Sequence, residues 1–453
     1  MKSENMKQRK LYGVPMIPFG LLAGFVDEKE VRITEFFEEG FVFRTAEQIQ
    51  KPDCVRLCFY NLEKAQYEEL ILQGLELEQG EIQSFFHTYT IWMDQQESAS
   101  KYRELVRKLL GQYSHYIQLK LTEDDGGLAQ AMTGYPAELD EIHAETWEQQ
   151  KKLWYAEAYT DRKEISLPEY AIALDRPELY EQYLHQELKK FVKNYWQEQQ
   201  LENCFWSAYM PNRLYVGNQF CSFLFPEETT LREILEKAER ENLQITVVCS
   251  CIRELMMPIT MQLMKKLDQW CEQHGQELEV VVNDWGLAKG LKETTIHLHS
   301  CMGTLLNKYK KDPRMKYKQG DPRLLRENNL FLKEYREYLV SEYGIYRYEW
   351  ESCGCERTCP QGNNSLHFPF YQTNTSQYCP LYASCTTGQR GRQKLPVNCP
   401  QYCRKLIFLY PDHLKMVGRY NSLFALDDTL LRMPEQAEQL MKSGIDRLVV
   451  NLL

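Results

Sequence analysis

Cysteine spacing in the C-terminal half is the feature of this sequence that most directly points to chemistry. Three cysteines form the pattern Cys379-x19-Cys399-x3-Cys403. Two cysteines separated by three residues can face one metal centre from a turn or a first helical turn, and a third can come from an earlier loop. A thiolate site needs a fourth ligand, which can lie far away in sequence. The spacing alone leaves an iron–sulfur cluster, zinc and no metal as alternatives.

The chain holds fifteen cysteines, and seven of them lie between Cys353 and Cys403. The cytosol keeps thiols reduced, so in a long chain with no predicted export signal this density indicates metal ligation rather than disulfides. Scattered cysteines in apolar or amphipathic surroundings are predicted to be small core residues. These are Cys54, Cys58, Cys249 and Cys271.

A second group of cysteines, Cys353, Cys355 and Cys359, lies in the polar segment ESCGCERTCPQGN, which predicts an exposed loop. One interpretation is a second metal site or a set of redox-active thiols; the other is a cysteine-rich loop that caps the domain. Three ligands leave a metal site incomplete, and Cys301 or Cys385 is the candidate for the fourth.

The elements that must position these thiols are predicted to be βα units. From residue 204 to 453, apolar strands such as RLYVGN, ITVVCS and EVVVND alternate with amphipathic helices, which indicates a parallel sheet covered on both faces. About 250 residues of this pattern fit an α/β barrel of the TIM type, complete or modified. Strand ends converge on one face of such a barrel, so cysteines distant in sequence can share one centre.

Two segments are predicted to precede the barrel. Residues 1–125 contain the short aromatic or β-branched runs FVFRT, VRLCFYN, SFFHTYTIWM and YIQLKL, which predict a small β-barrel interrupted by one helix. Residues 126–203 are strongly polar with helical periodicity, and Pro177 is a predicted helix start. This second segment is interpreted as a helical connector.

Composition restricts the classes of function. A chain of 453 residues predicts two or three domains. Its net charge of −10 argues against a general nucleic-acid surface and against docking on anionic lipid. No apolar run is long enough to span a membrane, and prolines and glycines interrupt the apolar stretch near the N-terminus where a signal peptide would need an unbroken core. We therefore expect a cytoplasmic protein without a membrane partner.

Several polar side chains lie at or after predicted strand ends, where barrels place their chemistry. They could form a pocket that orients a small polar or aromatic substrate by hydrogen bonds. Asn283 and Asp284 are also good turn or helix-capping residues. His297 and His299 alternate along a predicted strand, which leaves a zinc pair open beside a core or pocket role. The candidate pocket residues are Asn283, Asp284, His299, Tyr371, Thr373, Asn374, Arg419 and Asn421.

The stretch RLYVGNQFCSFLFP, followed by EVVVNDWGL and GTLLNKYKKDPR, resembles the collagenase-like U-thirty-two peptidase family in its broad sense. The resemblance covers about residues 205–450. It is nearest to the branch that includes UbiV, an accessory protein of oxygen-independent ubiquinone hydroxylation. In that branch a strand ends in a Tyr-x-Gly-x-x-x-Cys pattern, matched here by Tyr215, Gly217 and Cys221.

The same branch carries a later cysteine followed by a C-x3-C pair, matched by Cys379, Cys399 and Cys403. The resemblance implies that these three residues and Cys221 bind a four-iron, four-sulfur cluster in a bacterial protein. The gap between Cys379 and Cys399 is longer than in the relatives, which indicates an inserted loop that contains Cys385. If Cys221 is not a ligand, Cys385 is the natural fourth one.

Peptidase activity is not expected despite the family name. The family's peptidase signature, built around His-Gly-(Ala/Ser)-x-Cys, is absent, and the corresponding segment is TNTSQYCPL. The sequence therefore predicts no catalytic residue for proteolysis.

The segment ITEFFEEGFVFRT is similar to the start of a PilZ domain. PilZ domains bind cyclic di-GMP through an arginine pair and an Asp/Asn-x-Ser-x-x-Gly motif, which supply guanidinium–phosphate and guanine contacts. Here the motif positions hold Glu35, Phe37 and Gly40, and the nearest basic residues upstream are Lys29 and Arg32. The resemblance implies the fold, while these departures argue against cyclic di-GMP binding.

The leading hypothesis is an iron–sulfur protein with a PilZ-like N-terminal module. It would be an enzyme, or a subunit that works with a partner, in redox or hydroxylation chemistry at low oxygen. Two rival hypotheses remain: a regulator whose N-terminal module senses a nucleotide, and a zinc-stabilised binding scaffold.

Overall fold

The chain divides into two compact units: the described residues up to Thr122 belong to the first, and those from His143 onward belong to the second. None of the described helices is long and apolar enough to cross a membrane. The computed structural model describes residues 14–15, 21–61, 66–80, 86–93, 98–122, 143–159, 161, 165–167, 169–309, 311, 328–354, 359–360, 362–388, 394–409 and 415–453.

The first unit is an antiparallel sheet with one long helix. Its strands follow the hydrogen-bonded order β6-β5-β2-β3-β4-β8-β7, with β1 paired to β3. The order ends at β6 and β7, so among the described strands the predicted small barrel is a sheet without a closing pair. The elements are β1 (Val14–Pro15), β2 (Leu22–Val26), β3 (Lys29–Phe37), β4 (Gly40–Thr45), β5 (Cys54–Asn61), β6 (Gln66–Gln73), β7 (Leu77–Gln79), β8 (His87–Trp92) and α1 (Ala99–Leu121).

Aromatic side chains fill the core of this unit. Phe41 and Phe43 alternate along β4 and are fully buried, as a period of two requires for the inner face of a sheet. From α1, the buried Tyr102 donates a hydrogen bond to the carbonyl oxygens of Phe37 (2.9 Å) and Gly40 (2.6 Å). The helix is thereby fixed to the turn between β3 and β4.

The prediction of a strand at YIQLKL is wrong, because residues 116–121 are the last turns of α1. Gln, Lys and Leu are good helix formers, and extending an existing helix costs far less than nucleating a new element. Only Ser114 and His115 separate this run from the preceding helical segment, and the helix continues through them.

The second unit is built around a closed barrel of eight parallel strands, which confirms the predicted TIM-type barrel. The barrel strands pair in the order in which they follow one another along the chain, with a separate sheet inserted before the last of them, and the last strand pairs with the first. The barrel strands are β9 (Tyr170–Leu174), β10 (Arg213–Gly217), β11 (Gln244–Val248), β12 (Leu278–Val282), β13 (Leu298–Met302), β14 (Arg347–Glu351), β15 (Asn363–Phe368) and β20 (Arg447–Val450).

The barrel begins earlier than the sequence indicated. Strand β9 lies inside residues 126–203, which the sequence predicted to be a helical connector, and it pairs with both β10 and β20. Its apolar run YAIAL is only five residues long and lies between two polar helical patterns, which hid it. Consequently Cys221 follows the second barrel strand and not the first.

Helices alternate with these strands. In α5 the buried residues Leu231, Ile234, Leu235 and Ala238 recur at the spacing of one helical face. Helix α6 ends at Gly275, whose φ of 62° suits a residue without a side chain. The helices are α2 (His143–Trp154), α3 (Pro177–His185), α4 (Leu188–Glu198), α5 (Glu228–Arg240), α6 (Met257–His274), α7 (Trp285–Thr294), α8 (Lys333–Tyr343), α9 (Pro380–Thr387), α10 (Thr429–Arg432) and α11 (Gln436–Lys442).

An antiparallel sheet of four strands is inserted between β15 and β20. Its order is β16-β19-β18-β17, and a tight turn at Tyr420 and Asn421 joins β18 to β19. Tyr420 has a φ of 58°, the left-handed conformation that such a turn requires. The strands are β16 (Phe370–Thr375), β17 (Phe408–Leu409), β18 (Met416–Arg419) and β19 (Ser422–Leu426).

Candidate metal centre and adjoining cavity

A cavity of about 300 Å³ opens among the loops that follow the barrel strands. Ser250 follows β11, Asn283 follows β12 and Leu305 follows β13, and all three line it. The cavity therefore lies at the carboxyl ends of the strands, where barrel proteins place their sites. Five cysteines also line it: Cys221, Cys251, Cys379, Cys399 and Cys403. The four predicted ligands thus face one cavity.

Each predicted ligand is held by its own local structure. Cys221 precedes a short 3₁₀ turn, and its backbone N–H donates to Asn218 Oδ1 (2.9 Å). Cys379 begins α9; its Sγ accepts a hydrogen bond from Tyr382 N (3.4 Å) and donates one to the carbonyl oxygen of Tyr420 (3.2 Å). These loops carry the thiols on backbone that is already hydrogen-bonded.

The C-x3-C pair is fixed in the same manner. Cys399 Sγ accepts from Gln401 N (3.4 Å), and buried Cys403 lies in the 3₁₀ turn Tyr402–Arg404. Gln401 Nε2 donates to the carbonyl oxygen of Phe223 (2.9 Å), which ties this loop to the one that carries Cys221. Two segments almost 180 positions apart are thereby joined.

Burial and neighbouring thiols raise the pKa of Cys221, Cys379 and Cys403, which favours their protonated forms. Burial raises the pKa of Cys221 to about 12, with the neighbouring charges of Cys379 and Cys399 adding to the effect. Burial likewise raises the pKa of Cys379 to about 11. The pKa of Cys403 is raised well above its usual range by burial and then by Cys221. A bound metal cation would reverse this preference and release protons.

The residues fit a thiolate-bound cluster in donor type and enclosure. Within the described ranges, no three histidine, cysteine, aspartate or glutamate side chains are grouped so that they would hold a metal ion as they stand. A single zinc ion needs four sulfurs at about 2.3 Å from one point, whereas a four-iron cluster takes thiolates up to about 7 Å apart. The predicted spacing of the four sulfurs stays a prediction.

The turn between β18 and β19 holds the cysteine loops together. Asn421 Nδ2 donates to the carbonyl oxygens of Phe220 (2.7 Å) and Ser376 (2.5 Å), which precede Cys221 and Cys379 respectively. Arg419 is close enough to Cys403 for its charge to lower the pKa of that thiol, against the larger effect of burial. Arg419 and Asn421 were predicted as substrate-pocket residues; Asn421 lines the cavity, whereas Arg419 does not, although its charge acts on Cys403.

The cavity has polar groups that the sequence did not single out. Ser250 is 3% exposed, and its hydroxyl lies buried without a hydrogen-bond partner among the described residues. Cys251 accepts a hydrogen bond from Gln377 Nε2 (3.5 Å), and the charge of Lys308 acts on its thiol. Ser250 is the last residue of the predicted strand ITVVCS and Cys251 directly follows it, which was the signal that could have identified them.

Three predicted pocket residues have structural roles instead. Asn283 lines the cavity, but its side chain donates to the carbonyl oxygen of Cys249 (2.8 Å) and accepts from Leu305 N (3.0 Å). Asp284 caps α7 through Leu287 N (2.7 Å), the capping role that the sequence left open. His299 was expected at the end of a strand; it lies near the start of β13, with Nε2 3.0 Å from Glu277, and does not line the cavity.

Strand β16 carries the remaining pocket candidates, and none of them lines the cavity. Thr373 donates to the carbonyl oxygen of Leu423, and Tyr371 packs against Cys353. The cavity is lined instead by the residues that follow, Thr375, Ser376 and Gln377. Asn374 lies in the irregular part of the pairing between β16 and β19.

The other cysteines have separate environments. Cys353 is buried in the small sheet, and Cys355 lies outside the described residues. Cys301 is fully buried inside the barrel beside Tyr215, so it is a core residue. Cys385 does not line the cavity, although the charge of Cys399 adds to burial in raising its pKa. Cys58, Cys249 and Cys271 are buried as predicted, while Cys54 is half-buried.

Two residues of the matched Tyr-x-Gly-x-x-x-Cys pattern serve the barrel itself. Gly217 has a φ of 121°, and a Cβ there would lie 2.1 Å from the carbonyl oxygen of Val248. The Tyr215 hydroxyl is 3.3 Å from both carboxylate oxygens of Glu349 inside the barrel. Cys221 is therefore the one residue of the pattern that faces the cavity.

A second polar region lies at the opposite end of the barrel. Arg213, Arg347 and Arg447 are the first residues of three barrel strands, and all are buried. Arg447 donates to Glu279 (2.6 and 3.0 Å), and Arg347 donates to Asp446 (2.8 Å). Arg213 pairs with Glu169 at 2.8 Å. Arginine at the start of three strands was a signal that sequence reading passed over.

These arginines change the acidity of their partners. Burial alone would raise the pKa of Glu279, but the hydrogen bonds from Arg447 and the charges of the three arginines outweigh it and lower the pKa to about 2. Likewise, Arg447 and Arg213 overcome burial and lower the pKa of Glu169. The carboxylates at this end are held ionised and paired.

In the first unit, the PilZ-like motif positions serve packing. Gly40 is required because a Cβ there would lie 2.1 Å from the carbonyl oxygen of Ile91. Phe37 is buried, and Glu35 pairs with Val42 across the sheet. Lys29 forms an exposed ion pair with Glu47 (2.6 Å). Packing alone thus explains why position 40 is a glycine, without a bound ligand.

Comparison with known proteins adds no family. No family model matches the chain, and no curated protein matches it. An uncharacterised protein from Legionella, known from a crystal structure, is 15% identical over 23% of this chain and 99% of its own, with a TM-score of 0.18. YKL-39, solved with chitooligosaccharides, is 10% identical over 62% of this chain and 92% of its own, with a TM-score of 0.24. Scores this low carry no argument about function.

Proposed function

We propose that the chain is an iron–sulfur barrel protein whose cluster is held by Cys221, Cys379, Cys399 and Cys403. The observation that carries this is that the four thiols, which come from three separate loops, line one cavity at the carboxyl ends of the strands. As thiolates these cysteines would repel one another, and the neighbouring Cys379 and Cys399 add to the effect of burial in raising the pKa of Cys221. A cationic cluster core would relieve that repulsion and satisfy all four sulfurs.

The same cavity supports a role in substrate chemistry rather than a purely structural one. The surface beside the thiols carries the unpartnered hydroxyl of Ser250, the ammonium of Lys308 and the amide of Gln377, together with aromatic walls. When bound, the cluster would supply electron transfer. The chain's own groups would hold a small polar or aromatic substrate against it and keep out water. The resemblance to the UbiV-like branch makes hydroxylation or another redox reaction at low oxygen the proposed chemistry.

Anaerobic purification tests the proposal. The full chain should contain about four irons and absorb near 400 nm. Cys399→Ala and Cys403→Ala should each lose most of the iron, whereas Cys54→Ser, a half-buried cysteine of the first unit, should retain it. Cys385→Ala should also retain iron, since Cys385 does not line the cavity. A chain that is full of zinc and free of iron would overturn the cluster while leaving the ligand set in place.

The rival regulator hypothesis predicts that the chain binds cyclic di-GMP. The packing role of Gly40 and the pairing of Lys29 with Glu47 weigh against it. Calorimetric titration of the full chain should show weak binding or none. A micromolar or tighter complex that Arg32→Ala abolishes would favour the regulator instead.

A further inference from the structure

Arg419 is a cation without a carboxylate partner in the described part of the chain, and it directly precedes Tyr420, whose carbonyl oxygen accepts a hydrogen bond from the Cys379 thiol at 3.2 Å. No carboxylate of the described residues lies within ion-pair distance of it, and its Nε atom is buried without a hydrogen-bond partner. Its guanidinium stacks on the ring of Tyr420 at 5.4 Å, and its charge acts on Cys403. Partial burial of an arginine without an ion pair costs desolvation free energy that few interactions within the protein offset.

The surrounding structure holds Arg419 in place. It is the last residue of β18 and pairs with Ser422 across the turn. The next residue, Tyr420, accepts the Cys379 thiol at its carbonyl oxygen and donates its hydroxyl to Asp175 Oδ2 (3.0 Å). The turn therefore fixes the arginine relative to two of the cysteine loops at once.

Two further cations, Arg176 and Lys151, are near enough for their charges to interact with residues of this turn. Arg176 is buried and pairs with Asp175 at 2.8 Å, and Lys151 is 2% exposed and pairs with Glu148 at 2.6 Å. Burial lowers the pKa of Lys151, and the charges of Arg419 and Arg176 contribute to the same effect. Arg176 and Lys151 thus each have a carboxylate partner, whereas Arg419 has none among the described residues.

We propose that Arg419 is the counter-charge of the metal centre, a positioning residue that balances the negative charge of four thiolates on a cluster. This rests on the proposed function of the site. A tetrathiolate iron–sulfur cluster is anionic and gains further negative charge on reduction, so a fixed cation beside it favours the reduced state. The same cation also favours deprotonated sulfur and thereby metal retention.

The test compares reduction of the cluster in the anaerobically purified full chain and its variants. At the potential where the wild-type cluster is half reduced, Arg419→Gln should show a reduced-to-oxidised ratio about tenfold lower, which corresponds to about 59 mV for one electron. Arg419→Lys should recover most of the ratio, because it restores the charge. Arg432→Gln removes an equal charge from an exposed pair and should leave the ratio unchanged.

The outcomes separate the two proposals. An iron-loaded Arg419→Gln protein with the wild-type ratio, or an equal shift in Arg432→Gln, would overturn the counter-charge while the cluster stands. If the chain binds zinc and no iron, the cluster is overturned, and the counter-charge is read from zinc release to a chelator, which Arg419→Gln should accelerate about tenfold. A wild-type chain that binds neither metal would overturn both proposals.

Discussion

At the amino ends of the barrel strands, three buried arginines each have a carboxylate within 3.3 Å, whereas at the carboxyl ends the Ser250 hydroxyl and Arg419 Nε have no hydrogen-bond partner among the described residues. Both ends bury polar groups in the same barrel. The first arrangement pairs its charges within the protein, as a stabilising network does. The second becomes complete when something else binds, which is the condition expected of a functional face. The pairing of buried polar groups, more than their number, distinguishes the two ends.

The largest expected effect comes from breaking the paired end. Arg447→Ala leaves Glu279 and the Tyr215 hydroxyl without their main donor inside the barrel. Removing one partner of a buried ion pair costs about 3–5 kcal/mol, so the urea midpoint of the second unit should fall sharply. Arg432→Ala, at an exposed pair, should change stability by less than about 1 kcal/mol. A loss of similar size in the two variants would contradict the distinction between the ends.

Acid should weaken the paired end next. The pKa of Glu279 is lowered from its usual 4.5 to about 2, so its folded state binds protons less readily than the unfolded state. This contribution is present above about pH 4.5 and is lost as pH falls through about 2; the shift corresponds to roughly 3 kcal/mol. Urea midpoints measured across this window should fall more steeply for the wild type than for Glu279→Gln. If the urea midpoints of the two proteins fell equally steeply with pH, the ion pairs of Glu279 would not account for the loss of stability in acid.

Sequence reading reached the barrel because its strands and helices carry strong local patterns. Strand β9, a five-residue apolar run between polar helices, was not predicted, and the last turns of α1 were predicted to be a strand. Both errors arise because short segments take their structure from their surroundings. Cys379, Cys399 and Cys403 were predicted as ligands from residue type and spacing, whereas Cys221 was added only by the family resemblance. Asn283 and Asn421 were also predicted and line the cavity. The hydrogen-bond partners of Asn283 and His299 were not predicted, because they are set by tertiary contacts that no local pattern records.

An intermediate effect is expected at the turn that joins the cysteine loops. Asn421→Ala removes the donor to the carbonyl oxygens of Phe220 and Ser376, at a cost of about 1–3 kcal/mol felt mainly in these loops. Iron release to a chelator should therefore speed up while the global urea midpoint changes less. Asn194→Ala, which removes a hydrogen bond to Gln186 outside the site, is the control and should release iron at the wild-type rate.

The smallest effect should come from Ser250, and its sign is the informative part. The Ser250 hydroxyl is buried and has no hydrogen-bond partner in the part of the chain that the structure describes, so Ser250→Ala removes a desolvated polar group and should leave stability unchanged or raise it by up to about 1 kcal/mol. Ser365 is equally buried, yet its hydroxyl meets Tyr215 (3.1 Å) and Arg347 (3.2 Å), so Ser365→Ala should cost about 1 kcal/mol. The same substitution thus acts in opposite directions at the two ends of one barrel. Thermal unfolding of both variants in matched buffer measures the difference. If Ser250→Ala destabilised the chain as much as Ser365→Ala, the Ser250 hydroxyl would already form a hydrogen bond in the folded protein. It would then not be available to bind a ligand at the carboxyl end of the barrel.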